Sequence, residues 1–166
     1  MTDKRTILST AREYAEKNIR IFPCQNAGRT KAPLIKKWAI NSTADLAKIE
    51  KWWKKWPDAL VGLPTGAINQ TTVLDIDRKN GVDGFESLAA LGDVFHAVFA
   101  LGVELGNLKS PKVRTPSGGL HVYFAYALGV KNSAGKIGPG LDIRIDGVYV
   151  IVAGKIDGIG RYEVVQ

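Results

Sequence analysis

The chain has 166 residues, a formal net charge of +7 and 45% hydrophobic residues, and this length and composition suit one soluble domain. Its single cysteine excludes an internal disulfide, and one cysteine with two histidines disfavours a structural zinc site. No apolar run approaches the roughly 20 residues that a membrane helix needs, and the first residues do not form a signal peptide. We therefore expect a cytoplasmic protein with no membrane partner. Its positive charge favours polyanions such as nucleic acid or nucleotides.

The first half of the chain is predicted to begin with a helix and a short strand. Apolar residues at helical spacing predict a helix from Thr6 to Asn18. The run from Ile19 to Phe22 predicts a strand, which Pro23 is expected to end. A basic loop rich in turn residues follows, and it carries Lys31.

A second helix is predicted to begin near Ser42 or Thr43, either of which can cap it, and to end at Pro57. One face of this helix is apolar and consists of Leu46, Ile49, Trp53 and Trp56. We therefore expect the tryptophans of this helix to be core residues. The alternative is that Trp52 or another exposed ring stacks on a nucleic-acid base.

The second half of the chain is predicted to be rich in strands, at 72–77, 113–114, 120–126, 141–145, 149–152 and 161–165. A helix is expected from Phe85 to Leu91, with an extension past Val103. Asp146 and Gly147 form a favoured hairpin turn and are expected to join the strands on either side. Antiparallel hairpins with helices on one face indicate an α+β fold.

Two aspartates share one predicted strand. Asp75 and Asp77 are two residues apart, so their carboxylates project from the same face while Leu74 and Ile76 point into the core. Like charges held together favour a cation between them, and closely spaced oxygen ligands suit Mg²⁺ or Mn²⁺. The alternative is a solvated strand end with two charged side chains, because Asp-x-Asp is a common pattern.

A glycine turn within 114–121 forms a second motif. Gly118 and Gly119, with Ser117 beside them, allow backbone N–H groups to approach a phosphate closely. His121 opens the next strand and can hydrogen-bond a phosphate oxygen, while Arg114 offers a planar fork for the same anion. The alternative is an ordinary glycine turn followed by a satisfied histidine.

A third motif lies on a later strand, where Asp142 and Arg144 share a face by the same alternation. Asp142 can complete a three-carboxylate metal site with Asp75 and Asp77, or it can form a plain salt bridge with a basic neighbour. Asp146 is better explained as a turn residue.

In this order, the motifs resemble the primase-polymerase (prim-pol) domains of the archaeo-eukaryotic primase superfamily, of the kind found at the N-terminus of phage and plasmid replication proteins. The resemblance spans nearly the whole chain and rests on the segments 19–23, 31–34, 52–57, 61–66, 114–121 and 140–144. It implies one catalytic domain, the N-terminal part of a longer replication protein. A small N-terminal α/β lobe, about residues 1–65, would lie beside an RRM-like, mostly antiparallel sheet, about residues 66–166, that carries the active site.

The resemblance also implies roles for the motif residues. Asp75, Asp77 and Asp142 correspond to catalytic carboxylates that bind two Mg²⁺ or Mn²⁺ ions, and His121 corresponds to a contact of the incoming triphosphate. Relatives often have a small residue, any residue and then histidine in the second motif. Gly119 holds the small position here, so a serine hydroxyl is missing there. Further contacts to the nucleotide are expected from Lys31, Arg114, Ser117, Gly118, Gly119, Lys136 and Arg144.

The implied activity is template-directed nucleotidyl transfer from a dNTP or an NTP to a nucleic-acid end, as in a DNA primase or DNA polymerase. Single-stranded DNA would serve as template, and template and primer would bind mainly through phosphates on a basic surface. Relatives often carry a helicase domain, so a helicase on the same polypeptide is expected. A phage or plasmid origin would place the protein in the cytoplasm of a bacterial host cell.

Two other functions fit parts of the pattern. Paired carboxylates also serve a metal-dependent nuclease, which would release products from DNA without nucleoside triphosphates. A non-catalytic nucleic-acid-binding module would keep the basic charge and the aromatic residues. The presence of three aspartates together with His121 argues against this non-catalytic module.

Overall fold

The fold is built around one large antiparallel sheet. The computed structural model describes residues 6–28, 30–99, 110–133 and 135–165. Its helices are α1 (Ile7–Glu16), α2 (Trp38–Asn41), α3 (Leu46–Lys55) and α4 (Gly84–Phe99). Its strands are β1 (Phe22–Cys24), β2 (Leu60–Pro64), β3 (Thr71–Ile76), β4 (Arg78–Lys79), β5 (Val82–Asp83), β6 (Lys112–Arg114), β7 (Leu120–Ala125), β8 (Leu141–Arg144), β9 (Tyr149–Ile156) and β10 (Gly160–Val164).

Eight of these strands form a curled sheet, a half-barrel, in which each neighbouring pair is antiparallel. The strand order is β1-β2-β9-β10-β6-β7-β3-β8, while β4 and β5 form a separate two-stranded hairpin. The predicted α+β class, with a mostly antiparallel sheet, is confirmed.

Side chains alternate across β3 and separate two cores. Leu74 and Ile76 are buried in a cluster with Leu88 of α4. Val73 lies on the other face of the sheet, in a cluster with residues of α1 and α3. Asp75 is two residues further along that second face. The strand that anchors the core therefore also presents a carboxylate.

The first helix agrees with its prediction. α1 begins after Thr6, whose hydroxyl oxygen accepts a hydrogen bond from the N–H of Ser9 at 3.1 Å. This contact satisfies one of the free N–H groups of the first turn. The helix ends at Glu16, and Asn18 then adopts a left-handed conformation with φ of +58°.

The second predicted helix begins later than expected, at Leu46. Asp45 caps it by accepting a hydrogen bond from the N–H of Lys48 at 2.9 Å. Thr43 does not cap the helix because its backbone N–H and C=O both bond to Ile21, each at 3.0 Å. The residues just before this pairing form the separate short helix α2 instead.

The tryptophans of α3 are core residues to different degrees. Trp53 is only 2% exposed, and its indole N–H donates to the carbonyl of Ala59 at 3.1 Å. Trp52 and Trp56 are half-buried and pack against the same core. The prediction of a core role is confirmed for Trp53. Leu46 was expected on the buried face but is exposed at the first position of the helix.

Pro23 does not end the first strand, contrary to the sequence prediction. It lies in the middle of β1 and is the register partner of Val61 on β2. β1 is an edge strand of the sheet, where a missing N–H costs no ladder hydrogen bond on the outer side. The strand accordingly runs from Phe22 to Cys24.

Asp146 and Gly147 do not form a hairpin, which corrects another prediction. β8 pairs with β3, whereas β9 pairs with β2 and β10. Thr65, just after β2, donates its hydroxyl to the carbonyl of Ile145 at 2.5 Å, and Asp146 accepts a hydrogen bond from the N–H of Ala67 at 2.9 Å. These bonds hold the segment between β8 and β9 against the end of β2. The chain therefore passes from β8, at one edge of the sheet, to β9, which lies beside β2.

The helix predicted at Phe85 is present as the first part of α4. This helix is interrupted at Gly92, where φ is +43°. The extension expected past Val103 falls outside the described residues. None of the described helices is long and apolar enough to cross a membrane.

Candidate active site

Three neighbouring strands bring together the central residues of the site. Asp75 of β3 is the register partner of His121 on β7 and of Asp142 on β8. Nε2 of His121 lies 3.4 Å from Oδ1 of Asp75, and Nε of Arg144 lies 3.4 Å from Oδ2 of Asp75. Antiparallel register thus joins residues from three separate sequence motifs into one cluster.

Asp75 is a buried carboxylate with one unused oxygen. Burial by itself raises the pKa of Asp75, but His121, Arg144 and Lys79 outweigh it and hold that pKa below its usual value. The 3.4 Å separation from His121 is too long for a good hydrogen bond, and Oδ1 has no hydrogen-bond partner among the described residues. This oxygen is therefore an unsatisfied buried acceptor, which a bound cation would satisfy.

Asp142 has both oxygens engaged. Oδ1 accepts hydrogen bonds from the hydroxyl of Ser133 at 2.9 Å and from the N–H of Gly135 at 2.5 Å. Oδ2 lies 3.1 Å from Nη2 of Arg144. Asp142 thus anchors the loop before β8 and forms the salt bridge that the sequence offered as the alternative to metal binding.

Asp77 follows the end of β3, and its backbone is held from both sides. Its N–H donates to the carbonyl of Gly140 and its carbonyl accepts from the N–H of Gly84, both at 2.8 Å. A Cβ atom on Gly84 would lie 2.4 Å from the carbonyl oxygen of Gly140, so this close approach requires glycine. The side chain of Asp77 pairs with Lys79 at 2.5 Å. A carboxylate and an ammonium group are therefore presented from a fixed backbone.

The glycine turn packs closely against the end of β3. The N–H of Thr115 donates to the carbonyl of Gly119 at 3.0 Å, and Gly118 has a left-handed φ of +85°. A Cβ atom on Gly119 would lie 2.2 Å from the carbonyl oxygen of Ile76. No side chain fits there without a backbone shift, which gives a steric reason for the missing serine. Ser117 remains at the turn, with its hydroxyl 3.2 Å from that of Thr115.

Lys31 reaches the same region from the loop after β1. Its Nζ donates to the hydroxyl of Tyr162 and lies 5.1 Å from the centre of that ring. The hydroxyl of Tyr149 donates to the backbone carbonyl of Lys31 at 3.0 Å. Burial and the charge of Lys79 lower the pKa of Lys31, while the carboxylate of Asp77 opposes the shift. Lys31 is therefore close enough to Lys79 and Asp77 for their charges to shift its pKa.

One cavity of about 760 Å³ brings most of these groups together, but Asp142 does not line it within the described residues. This volume is typical of small-molecule sites. The polar side chains of the cavity include Lys31, Asp75, Asp77, Lys79, Asn80, Thr115, Ser117, His121 and Arg144. Its aromatic and large apolar side chains include Trp38, Tyr149, Ile159 and Tyr162. The cavity suits a ligand that has an anionic part and a flat apolar part.

Four of the expected nucleotide contacts do not line this cavity within the described residues, namely Arg114, Gly118, Gly119 and Lys136, and the roles expected of them stay predictions. Val113 is the register partner of His121, so the next residue, Arg114, points to the opposite face of the sheet and is exposed. Lys136 is exposed in the loop before β8, where its N–H donates to the carbonyl of Ser133 at 3.1 Å. Within the described residues, neither side chain lines the cavity.

Comparison with protein families identifies one matching family. Residues 11–166 match the family described as bifunctional DNA primase/polymerase, N-terminal (Prim-Pol). The chain belongs to this family. No match was found among proteins with curated functions. Prim-Pol membership supports DNA primase and polymerase activity, that is, nucleotidyl transfer with nucleotides and DNA as substrates.

Prim-Pol nucleotidyltransferases typically use divalent metal ions, and the carboxylates of the cavity fit such an ion. Oδ1 of Asp75 is buried without a hydrogen-bond partner in the described chain, and Asp77 lines the same cavity. Carboxylate oxygens are the ligands that Mg²⁺ and Mn²⁺ prefer. Among the described residues, no group of three or more His, Cys, Asp or Glu side chains is arranged as a metal site, and Asp142 is engaged by Ser133 and Arg144.

Sequence reasoning missed several residues of the Prim-Pol cavity, among them Lys79, Trp38, Tyr149 and Tyr162. Lys79 is two residues after Asp77, and this spacing could have indicated that the two side chains lie on the same side of the chain and form an ion pair. Trp38 lies on α2, a helix too short to leave a periodic pattern. Tyr149 and Tyr162 were expected only as strand residues, because their approach to Lys31 depends on the curl of the sheet.

Proposed function

We propose that this Prim-Pol domain adds nucleotide units from a dNTP or an NTP to the 3′ end of a primer on a single-stranded DNA template. The observation that carries the proposal is the convergence of two carboxylates, Asp75 and Asp77, with the cations Lys31, Lys79 and Arg144 in one cavity. Family membership supports the reaction class. The assignment of roles to residues is our own inference.

The cationic side chains hold the triphosphate in this scheme. Lys31, Lys79 and Arg144 supply positive charge, and His121 and Ser117 supply hydrogen-bond donors. Donors fixed in advance stabilise the charge that develops during phosphoryl transfer, because they need not reorganise when it appears. A nuclease needs no clamp for a triphosphate, so this feature favours transfer over hydrolysis.

The reaction forms a bond between the 3′ oxygen of the primer and the α-phosphorus, and it breaks the bond from that phosphorus to pyrophosphate. Divalent ions, when bound, make the hydroxyl more acidic and stabilise the charge on the leaving pyrophosphate. Asp75 offers its unused Oδ1 to such an ion, and Asp77 offers its carboxylate from a backbone held by hydrogen bonds. We include Asp142, the register partner of Asp75, as the third carboxylate of the proposed set. Its Oδ2 has one contact, with Arg144, and keeps a second lone pair for an ion.

Template and primer bind outside the cavity in this proposal, through phosphate contacts on a protein with a net charge of +7. Such binding is tolerant of sequence and weakens as salt rises, because it depends on the release of counterions. A helicase domain on the same polypeptide would supply unwound template.

Primer extension tests the proposed function. A labelled DNA primer on a longer template is incubated with dNTPs or NTPs and with Mg²⁺ or Mn²⁺. Asp77→Asn removes a charge while keeping the side-chain shape, and we expect it to slow extension by roughly 100-fold or more. Asp157→Asn is the matched control, because Asp157 is 92% exposed and pairs with Lys155 at the surface. We expect the control to extend primers at the wild-type rate.

Each alternative function gives a different outcome in this assay. Template-dependent lengthening that Asp77→Asn loses would support nucleotidyl transfer. Shortening of the primer in the absence of nucleoside triphosphates would indicate a nuclease. DNA binding with no extension by any variant would indicate a binding module.

A further inference from the structure

One part of the cavity is aromatic and has no role in the chemistry above. Trp38 and Tyr149 line it together with the carboxylates Asp75 and Asp77. Trp38 is the first residue of α2 and is half-buried. A large indole ring at the wall of a polar cavity can make a flat apolar contact with a ligand.

The Trp38 ring is held by two other aromatic rings. It stacks on Phe22 with a centroid distance of 5.2 Å and an angle of 23° between the ring planes. It meets Tyr149 edge to face, with centroids 4.9 Å apart at 68°. Phe22 is fully buried in the core. The indole is therefore fixed before any ligand arrives, which reduces the entropy lost when a ligand binds to it.

Trp38 and Tyr149 form the aromatic wall of the cavity. This wall is connected to Lys31, one of the side chains proposed to hold the triphosphate. Tyr149 touches Trp38 with its ring and donates its hydroxyl to the backbone carbonyl of Lys31 at 3.0 Å. Lys31 in turn contributes positive charge to the cavity. A ligand held by Lys31 at its anionic end would therefore have an aromatic surface close to its other end.

We propose that Trp38 is the platform on which the base of the incoming nucleotide stacks. This inference rests on the proposed function, in which the polar side chains hold the triphosphate. The remainder of such a nucleotide is a sugar and a flat aromatic base. A template-directed enzyme must accept every base in one site, because the template makes the choice. Stacking meets this requirement, since every base has a π-face, whereas hydrogen-bond readout by the protein would favour one base.

Binding measurements with two ligands test the role of Trp38. The ligands are dATP and inorganic tripolyphosphate, which has the anionic chain but no base, each measured in the presence of Mn²⁺. We expect Trp38→Ala to weaken dATP binding by roughly 10-fold to 100-fold and to leave tripolyphosphate binding unchanged. We expect Trp38→Phe to retain most of the dATP affinity, because a phenyl ring can still stack.

Two further variants keep the test independent of folding. Trp38→Leu keeps apolar bulk against Phe22 but lacks a π-face, so we expect it to fold and to lose dATP affinity. Trp56→Phe is the control, because Trp56 directly follows α3 and does not line the cavity within the described residues. We expect dATP to quench part of the tryptophan fluorescence of the wild type and of Trp56→Phe, and none in Trp38→Phe.

The outcomes separate this inference from the proposed function. Selective loss of dATP affinity in Trp38→Ala and Trp38→Leu would support the stacking role, as would a higher KM for dNTPs with little change in kcat. Unchanged dATP binding in both variants would overturn the role of Trp38 and leave the proposed function standing. Equal loss of both ligands in Trp38→Leu would also overturn it. Failure of the wild type to bind either ligand would overturn the proposed function as well.

Discussion

Arg144 contacts two carboxylates at once, with Nε 3.4 Å from Oδ2 of Asp75 and Nη2 3.1 Å from Oδ2 of Asp142. The two aspartates are register partners on β3 and β8, so their negative charges are held side by side. The planar guanidinium spans both strands and offsets the repulsion between them. The three side chains therefore form one electrostatic unit at the edge of the sheet.

Removal of Arg144 should destabilise this unit. In Arg144→Gln both ion pairs are lost and the two carboxylates repel each other. We expect a loss of about 1–2 kcal/mol in the free energy of unfolding, a value reduced because Arg144 is one-third exposed. Urea unfolding at pH 7 measures this change. We also expect roughly 10-fold slower primer extension, because a cation of the cavity is lost.

A surface arginine provides the control for that experiment. Arg161 lies 3.9 Å from Glu163, and both side chains are about half exposed or more. Arg161→Gln should change the free energy of unfolding by less than about 0.5 kcal/mol. Equal effects of the two substitutions would contradict the special role of Arg144.

The lowered pKa of Asp75 makes a prediction about stability and pH. A carboxyl group whose pKa is lower in the folded state stabilises the fold fully above its unfolded pKa, near 4, and loses that contribution as pH falls through the folded value. The stability difference between the wild type and Asp75→Asn should therefore be largest near neutral pH and shrink below about pH 4. Urea unfolding of both proteins from pH 3 to pH 7 measures it. A difference that grows towards low pH would show that the contacts of His121 and Arg144 do not favour the carboxylate.

Gly119 should tolerate no side chain. The Cβ atom of Gly119→Ala would lie 2.2 Å from the carbonyl oxygen of Ile76, the last residue of β3. β3 is paired on both sides, with β7 and with β8, so this backbone cannot move freely. We expect this substitution to cost about 2 kcal/mol or more of unfolding free energy. Gly138→Ala is the matched control, since its Cβ would lie 3.4 Å from the nearest atom, in Ser87. Similar thermal midpoints for both variants would contradict the tight packing of the turn.

The alternation of side chains was readable from the sequence, but the pairing of strands was not. Period-two patterns correctly indicated that Leu74 and Ile76 are buried, because alternation depends only on local geometry. Whether Asp142 lies beside Asp75 depends on register, which is set by packing across the whole sheet. The same limit explains Arg114. The sequence showed that Arg114 precedes the glycine turn. Which face of the sheet its side chain occupies depends on the pairing of Val113 with His121, and the sequence does not show this pairing.

Residues between β1 and α3 were harder to predict than strand residues, and only the family resemblance indicated Lys31. Trp38 and Lys31 both lie in the basic segment between β1 and α3, where no periodic pattern indicates a structure. Their positions are fixed by long-range contacts to Tyr149 and Tyr162, which are more than 100 residues away in the chain. The family resemblance rested on the order of the motifs along the chain. The contacts of Trp38 and Lys31 with these tyrosines became visible only in the folded structure.

Tyr162 should position Lys31 through its hydroxyl group. The tyrosine ring packs 6.1 Å from the ring of His121, and its hydroxyl accepts a hydrogen bond from Nζ of Lys31. Tyr162→Phe keeps the ring contacts and removes that acceptor. We expect the free energy of unfolding to fall by about 1 kcal/mol or less. We expect the KM for the nucleotide to rise several-fold with a smaller change in kcat, because Lys31 would lose its fixed position.

Steady-state primer extension at varied dNTP concentration measures the effect of Tyr162→Phe, with Tyr126→Phe as the control. The hydroxyl of Tyr126 donates to Asp146 at 3.0 Å, and Tyr126 does not line the cavity within the described chain. Burial raises the pKa of Tyr162, so its hydroxyl stays protonated at neutral and mildly alkaline pH. The rise in KM at pH 7 therefore reports the loss of a neutral hydroxyl acceptor and not of a phenolate. A lower kcat with an unchanged KM would instead assign Tyr162 to a later step than nucleotide binding.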